Sequence, residues 1–382
     1  MSNYVSYYHA LLGSTEQVAY CQQANSLVEL LSRIKSLWNC AQLDDGELLG
    51  EINCLNQIPV DDVMLAGNWL PYRYQPKRKI VNWLVPVGHA TEPFQDEYLS
   101  RCSQQLFNQI IQPRSSLEFA QLQAINLPHV QPAGFIFHLS RCGSTLISGC
   151  LSELDSTCVF SESPLLTELL LDDQLSLEER EVSLRAFINL QAAAFPHRPQ
   201  VIIKWNAWDI FQWELVRRLF PQIPVVFLVR DPVEILASHQ RSAGRHMAGD
   251  PGLAGVAPVF SSREESLLVW RCNILAALLS EMGRFISDPK IMRVDYRDLN
   301  GNQIEKIAHH FDVFPDSESF QRIIQRLRFH SKVPGVAFAS DRQVKQTLFS
   351  AADKSCIQQS LEHLYTSFLH GEFEFTKRVL HE

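Results

Sequence analysis

The chain of 382 residues is too long for one minimal domain, and 46% hydrophobic with 20% charged residues is the make-up of a folded globular protein, not a disordered one. A formal net charge of −8 at neutral pH argues against a nucleic-acid binder that works through a broad basic surface, and leaves room only for a local basic pocket. The nine cysteines show no CxxC pair and no metal-ligand spacing, which predicts reduced thiols, a cytoplasmic setting and no metal centre.

In chain order, the opening MSNYVSYYHALLG lacks the basic and apolar parts of a signal peptide. No later apolar run approaches the roughly 20 residues of a membrane-crossing helix, so no membrane span is expected. SLVELLSRIKSLW, Ser26 to Trp38, has helical spacing. The passage NWLPYRYQPKRKIVNWLVPVGHATEPF, Asn68 to Phe94, is rich in Pro and aromatics and carries no motif; Trp69, Tyr72, Tyr74 and Trp83 read as exposed. Residues 1–130 are therefore expected to be a mostly helical accessory region.

The character changes at LPHVQPAG, Leu127 to Gly134. Beyond it, short β-branched or apolar runs (GFIFHL, STCVFSE, QVIIKW, IPVVFLV, KIMRVDY) alternate with longer amphipathic ones (STLISGCLSEL, Leu177 to Phe195, DIFQWELVRRLF, PVEILASHQ, SLLVWRCNILAALLSEMGRFI, IEKIAHHF). That alternation predicts βαβ units, hence an α/β domain with a parallel sheet over residues 131–382. Ligands of such sheets sit at the carboxyl ends of the strands, so the residues that end each apolar run are the ones to inspect.

The first run ends in SRCGST, Ser140 to Thr145, and passes directly into a helix whose apolar face is Leu146, Ile147, Cys150, Leu151 and Leu154. Unpaired N–H groups at a helix start favour an anion. Gly143 permits close approach, Ser144 and Thr145 add hydroxyls, and Arg141 adds a guanidinium fork. Gly and Ser also serve an ordinary βα turn. The ATP-type loop GxxxxGK[ST] is absent, because Ser144 stands where its Lys belongs.

SRCGSTL resembles the 5′-phosphosulfate loop of the sulfotransferase family, nearer the tyrosylprotein and bacterial branches than the cytosolic one. Arg141 matches the basic residue, Gly143 the glycine, and Ser144 and Thr145 the hydroxyl pair; Ser140 stands where Pro is usual and Cys142 where Ser is usual. A second stretch, IPVVFLVRDPVEILASHQRS, resembles the family's 3′-phosphate motif, with Arg230 at a strand end and Ser238 two turns up the next helix. An Arg-Asp-Pro sequence also serves a local helix-capping ion pair.

The resemblance implies a three-layer α/β/α sandwich with a parallel P-loop-type sheet. It also implies an enzyme that moves a sulfuryl group from 3′-phosphoadenosine 5′-phosphosulfate (PAPS) to a small-molecule, carbohydrate or peptide acceptor by in-line displacement, with no metal and no nucleic-acid partner. Arg141, Cys142, Gly143, Ser144, Thr145, Arg230 and Ser238 would hold the donor. Lys204, at the end of QVIIK, matches the family lysine that stabilises the leaving phosphate, and Glu162, after the second strand, falls where the tyrosylprotein branch has its base. Burial is expected to raise the Glu162 pKa for that role.

The cytosolic branch has a histidine where this chain has Asn206, so His138, His239 and His246 are further candidates for the base. Tyr296 in MRVDYRDL resembles a family tyrosine and equally serves to pack the last strand. Gln240 to Ser262 reads as a long lid over the acceptor site, with Arg241 and Arg245 facing anions. His330 to Lys345, with Lys332 and Gly335, lacks the family's Gly-rich basic pattern, so the adenine contacts have no assigned residues. The aromatics of residues 1–130 would help select the acceptor. Two rival functions remain: an ATP- and Mg²⁺-dependent small-molecule kinase, and a non-catalytic nucleotide-binding interaction protein.

Overall fold

The computed structural model describes residues 4–262, 266–329, 345 and 347–373. The chain forms two compact units: residues 1–130 with 163–199, and residues 131–162 with 200–382. The first holds the helices Val5–Gly13, Thr15–Gln22, Leu27–Trp38 and Asp45–Leu55, and a sheet whose strands β1 (Leu70–Gln75), β2 (Ile80–Leu84) and β3 (Arg114–Ser116) pair antiparallel. Ser26 caps the helix expected over SLVELLSRIKSLW by accepting from the Glu29 N–H.

The motif-free Pro- and aromatic-rich passage is therefore the hairpin of this sheet. Trp69, Tyr74 and Trp83 are buried and not exposed as expected. Each has found a partner for its polar atom: Trp69 Nε1 donates to the Leu12 carbonyl at 3.0 Å, Trp83 Nε1 to Ser115 Oγ at 2.9 Å, and the Tyr74 hydroxyl to Asp172 at 2.8 Å. An aromatic with a satisfied polar tip is core material, so these side chains hold the unit together instead of offering a surface.

The helices Pro164–Leu170 and Leu177–Ala193 belong to this first unit, although they follow a strand of the second. Glu168 accepts from Arg73 at 3.0 Å and from the Tyr74 N–H at 2.7 Å, and Gln191 donates to the Pro71 carbonyl at 3.1 Å. The expected boundary at 130 is thus not a single cut: residues 163–199 return to the earlier part of the chain.

The second unit is built on five parallel strands: β4 (Gly134–His138), β5 (Thr157–Ser161), β6 (Gln200–Lys204), β7 (Val225–Val229) and β8 (Ile291–Asp295). Their order is β5-β6-β4-β7-β8. All five expected apolar runs are strands, and every residue of β4, β5 and β7 is buried, as in a sheet covered on both faces. Phe135 and Phe137 point to one face, where Phe137 packs edge-on to Trp213 and Phe227 at 5.5 and 6.1 Å. Gly134 and Ile136 point to the other, towards the helices Ser144–Ser152, Gly301–His310 and Ser317–Arg326, which pack on one another. Helices on both faces make three layers.

β4 sits in the middle, with its chain continuing to one side (β5, β6) and later to the other (β7, β8), so the strand order reverses beside its carboxyl end. The helix layer lies very close at the other end of this strand. A Cβ on Gly134 would stand 2.2 Å from the Phe311 ring. Gly134→Ala should destabilise the protein by about 1–3 kcal/mol, the usual cost of overpacking. In thermal denaturation, Gly134→Ala combined with Phe311→Leu should lose less than the sum of the two single changes; strict additivity would mean that this contact does not set the layer spacing.

Candidate functional site

At the end of β4 the backbone takes an uncommon course. Ser140 (φ 63°) and Arg141 (φ 52°) are both left-handed, and Gly143 (φ 94°) follows as the residue before the helix Ser144–Ser152. Left-handed non-glycine residues cost about 1–3 kcal/mol each and persist where their surroundings fix them. Here the His138 ring helps, because its Nδ1 accepts the Ser140 N–H at 2.9 Å. Such a turn directs successive N–H groups inward, and the N–H groups of the helix's first turn have no partner within the helix. Cys142 contributes backbone alone: its thiol is wholly buried and pushed up to about 12 by that burial, so it stays neutral.

Three neighbouring strand ends supply the charges. Lys204, at the end of β6, has no solvent exposure, and its Nζ lies 3.1 Å from Glu162 Oε1 and 3.5 Å from Thr145 Oγ1. Glu162 follows β5 in a third left-handed conformation (φ 57°), with its N–H donating to the Lys204 carbonyl at 2.7 Å. His138 Nε2 stands 3.4 Å from the same carboxylate. Because His138 Nδ1 is used as an acceptor, its proton sits on Nε2, facing Glu162.

These neighbours decide the charge on Glu162. Burial pushes its pKa up, as expected from sequence, but the Lys204 ammonium and His138 outweigh it and bring the carboxyl down to about 2. The expectation of a raised pKa is overturned, since the sequence shows the burial but not the cation placed against it. Glu162 is therefore an anion at neutral pH. Arg141 is half-buried, donates to the Ser242 carbonyl, and has its pKa lowered by burial against the opposing pull of Glu162.

Arg230, one residue beyond β7, is buried and held on three sides. Nε donates to Glu234 at 2.9 Å and Nη2 donates to the same oxygen; Nη1 donates to the Arg141 carbonyl at 3.3 Å; and the guanidinium lies over the Tyr296 ring, 3.9 Å from its centre. Tyr296 in turn packs on Gly143, where a Cβ would stand 2.7 Å from Tyr296 Cδ2. Ser238 is half-buried one turn beyond Glu234 on the same helix face. The structure therefore gathers Arg141 to Thr145, Glu162, Lys204 and Arg230 around one loop.

Asn206, where the cytosolic branch has a histidine, is occupied as a helix cap: its N–H donates to Asp209 at 2.9 Å. The stretch Gln240–Ser262 is not a bare loop. It completes the helix Pro232–Arg241 and then forms short turns anchored by buried His246, Met247, Leu253 and Phe260. Arg241 lies in the last turn of that helix, and Arg245 pairs with Asp250 at 2.6 Å. His239 packs edge-on to His246 with ring centres 5.5 Å apart. Residues 330–344, with Lys332 and Gly335, lie outside the described residues. Among the described residues, no group of His, Cys, Asp and Glu is arranged to hold a metal ion, and no helix is long and apolar enough to cross a membrane.

No family model and no curated protein matches the chain. Solved structures do. A sulfotransferase STF9 from Mycobacterium avium is 12% identical, with a TM-score of 0.42 over 63% of this chain and 79% of that one. The sulfotransferase domain of the Synechococcus PCC 7002 olefin synthase is 16% identical, with a TM-score of 0.34 over 65% and 98%. Sulfotransferase STF1 from Mycobacterium tuberculosis H37Rv is 12% identical, with a TM-score of 0.38 over 64% and 81%. At such identities and scores, what the site does is decided by its own residues.

One site residue escaped the sequence reading, and another, Tyr296, was named there without its place between Gly143 and Arg230. Glu234 was detectable as a carboxylate four positions after Arg230 on a helix. The role of Tyr296 between Gly143 and Arg230 had no local signal, because it depends on β8 lying next to β7. The Glu162 ion pair makes a measurable prediction. A carboxyl ordinarily near 4.3 and held at about 2 when folded adds stability above its unfolded pKa, which is lost as pH falls through its folded pKa. Between about pH 4.5 and 2, denaturant titrations should show a shallower loss of stability in Glu162→Gln than in the wild type. Equal slopes would show that this carboxylate is not held by Lys204.

Proposed function

We propose that this chain is a PAPS-dependent sulfotransferase acting on an acceptor hydroxyl or amine. The observation that carries the reading is the Arg230 fork donating to the carbonyl of Arg141, which sets a second fixed cation against the loop that forms the first anion cradle. A ligand with one phosphate chain needs one cradle; two cradles side by side suit a nucleotide phosphorylated at both 5′ and 3′ positions. Arg230 arrives oriented by Glu234 and Tyr296, and its three hydrogen bonds leave further N–H groups of the fork for a phosphate.

In this reading the backbone of Cys142 to Thr145, with Arg141, holds the 5′-phosphosulfate, and Arg230 with Ser238 holds the 3′-phosphate. The nucleotide, when bound, supplies an activated sulfuryl group and a phosphate leaving group. The protein supplies position and charge. Lys204 is a buried ammonium beside the first helical turn, where a fixed positive charge counts for more than it would in water. Glu162 keeps that ammonium aimed, a role that its low pKa suits better than proton abstraction. The chain lacks the Walker lysine of a kinase loop, and an in-line displacement at sulfur asks for no metal.

Calorimetry with adenosine 3′,5′-bisphosphate beside ATP tests the donor assignment. The bisphosphate should bind more tightly than ATP without Mg²⁺, and Arg230→Ala should weaken it at least about ten-fold, the loss of one charge-assisted hydrogen bond. ATP binding that equals or exceeds the bisphosphate and needs Mg²⁺ would instead support the kinase. Lys204→Met should lower kcat by about 10² to 10³. If it weakened bisphosphate binding and left kcat intact, the lysine would be a ground-state anchor only.

A further inference from the structure

Resting on that reading, the structure raises the question of which group takes the acceptor's proton. Glu162 is spoken for by Lys204 and His138. The lone pair of His138 at Nδ1 is engaged by the Ser140 N–H, and its remaining nitrogen presents a proton to Glu162. His239 is in the same state, since its Nδ1 accepts the Gly244 N–H at 3.2 Å and its proton is therefore on Nε2. Asp209 accepts the Asn206 N–H in a capping box, and Asp231 is a helix cap.

His246 differs from all of these. It is 2% exposed, and neither ring nitrogen has a hydrogen-bond partner among the described residues. Its ring is held in place by His239 at 5.5 Å and by Trp208 at 5.6 Å, and the charges that act on it are those of His138, Glu162 and Arg141. A buried imidazole with both nitrogens unpaired is costly unless something binds there. We propose that His246 is the general base, accepting a hydrogen bond from the acceptor hydroxyl and then its proton.

The balance is simple. As the acceptor oxygen bonds to sulfur with its own lone pair, the sulfur–oxygen bond to the 5′-phosphate breaks with its electron pair staying on the phosphate. The hydroxyl proton passes to the open nitrogen of His246 and from there to solvent. Burial pulls the His246 pKa down to about 3, so the ring is neutral and has a lone pair ready. A weak base suffices late in the reaction, because an oxygen already bonded to sulfur holds its proton very loosely. Among its neighbours, His138 and Arg141 oppose the imidazolium that forms, and the Glu162 carboxylate favours it.

The test uses His246→Gln and His246→Asn, with bisphosphate binding as the check that fold and donor site persist. Phenol turnover should fall by about 10² to 10⁴ in both variants, the usual contribution of a general base. Turnover of 4-nitrophenol at mildly alkaline pH, where that acceptor is already ionised, should fall less than about ten-fold, since no proton remains to be taken. In ¹⁵N-histidine-labelled wild type loaded with the bisphosphate, the ring resonance absent from His246→Gln should shift when phenol is added. Equal losses on both phenols, no loss on either, or an unmoved resonance would overturn the assignment. Absence of bisphosphate binding by the wild type would instead sink the donor reading itself.

Discussion

A lysine ammonium without solvent exposure is the constraint around which the second unit is arranged. Removing such a charge from water costs several kcal/mol, and it persists only where opposite charge and hydrogen-bond acceptors are held against it. Lys204 obtains them from two other places in the chain, Glu162 after β5 and Thr145 at the start of a helix. The carboxylate reaches it because the chain turns left-handed at Glu162 immediately after the strand, and the same turn returns the Glu162 N–H to the Lys204 carbonyl. Two adjacent strand ends and the helix after β4 are thereby fixed to one another. The strain at Glu162 is offset by an ion pair and a backbone hydrogen bond.

A second set of contacts works alongside the first and meets it at His138, whose Nε2 faces Glu162. Gly143, Tyr296 and Arg230 form a stack in which the absent Cβ of the glycine leaves room for the tyrosine ring, and the ring carries the guanidinium. Glu234 then sets the rotation of the fork. Since Arg230 also donates to the Arg141 carbonyl, the left-handed turn at Ser140 and Arg141 is braced from the β7 side, while His138 braces it from the β4 side. The loop's geometry is a property of three strands, which is why a short Gly-Ser-Thr sequence can hold a shape that its own residues disfavour.

What could be read from sequence follows from this division. The five strands were legible because a parallel sheet buried on both faces produces continuous apolar runs, and the places of Arg141, Lys204 and Arg230 at their ends followed directly. The helix over SLVELLSRIKSLW was legible because helical spacing is a local signal. The fate of Trp69, Tyr74 and Trp83 was not, because an aromatic in a polar, Pro-rich passage looks exposed until the strands that cover it are known. The return of residues 163–199 to the first unit depends on pairs such as Glu168 with Arg73, far apart in sequence. The pKa of Glu162 fails for a third reason, since its sign is set by the competition between burial and Lys204, and only the first of these has a sequence signature.

The site is also uneven in how its polar groups are satisfied. Around the loop after β4 the charged groups have a counter-charge or a hydrogen bond in hand: Lys204 with Glu162, Arg230 with Glu234, Arg141 with the Ser242 carbonyl. That is the condition of a preorganised electrostatic site, which does not have to rearrange when charge develops. His246, carried by a segment of short turns, is buried with neither ring nitrogen hydrogen-bonded among the described residues. Under the proposal, the paired charges would hold the donor and the unpaired imidazole would serve the acceptor. In the proposed function, the part that would recognise the nucleotide's two phosphate groups is fixed by charge, and the part that would meet the acceptor keeps one uncommitted lone pair.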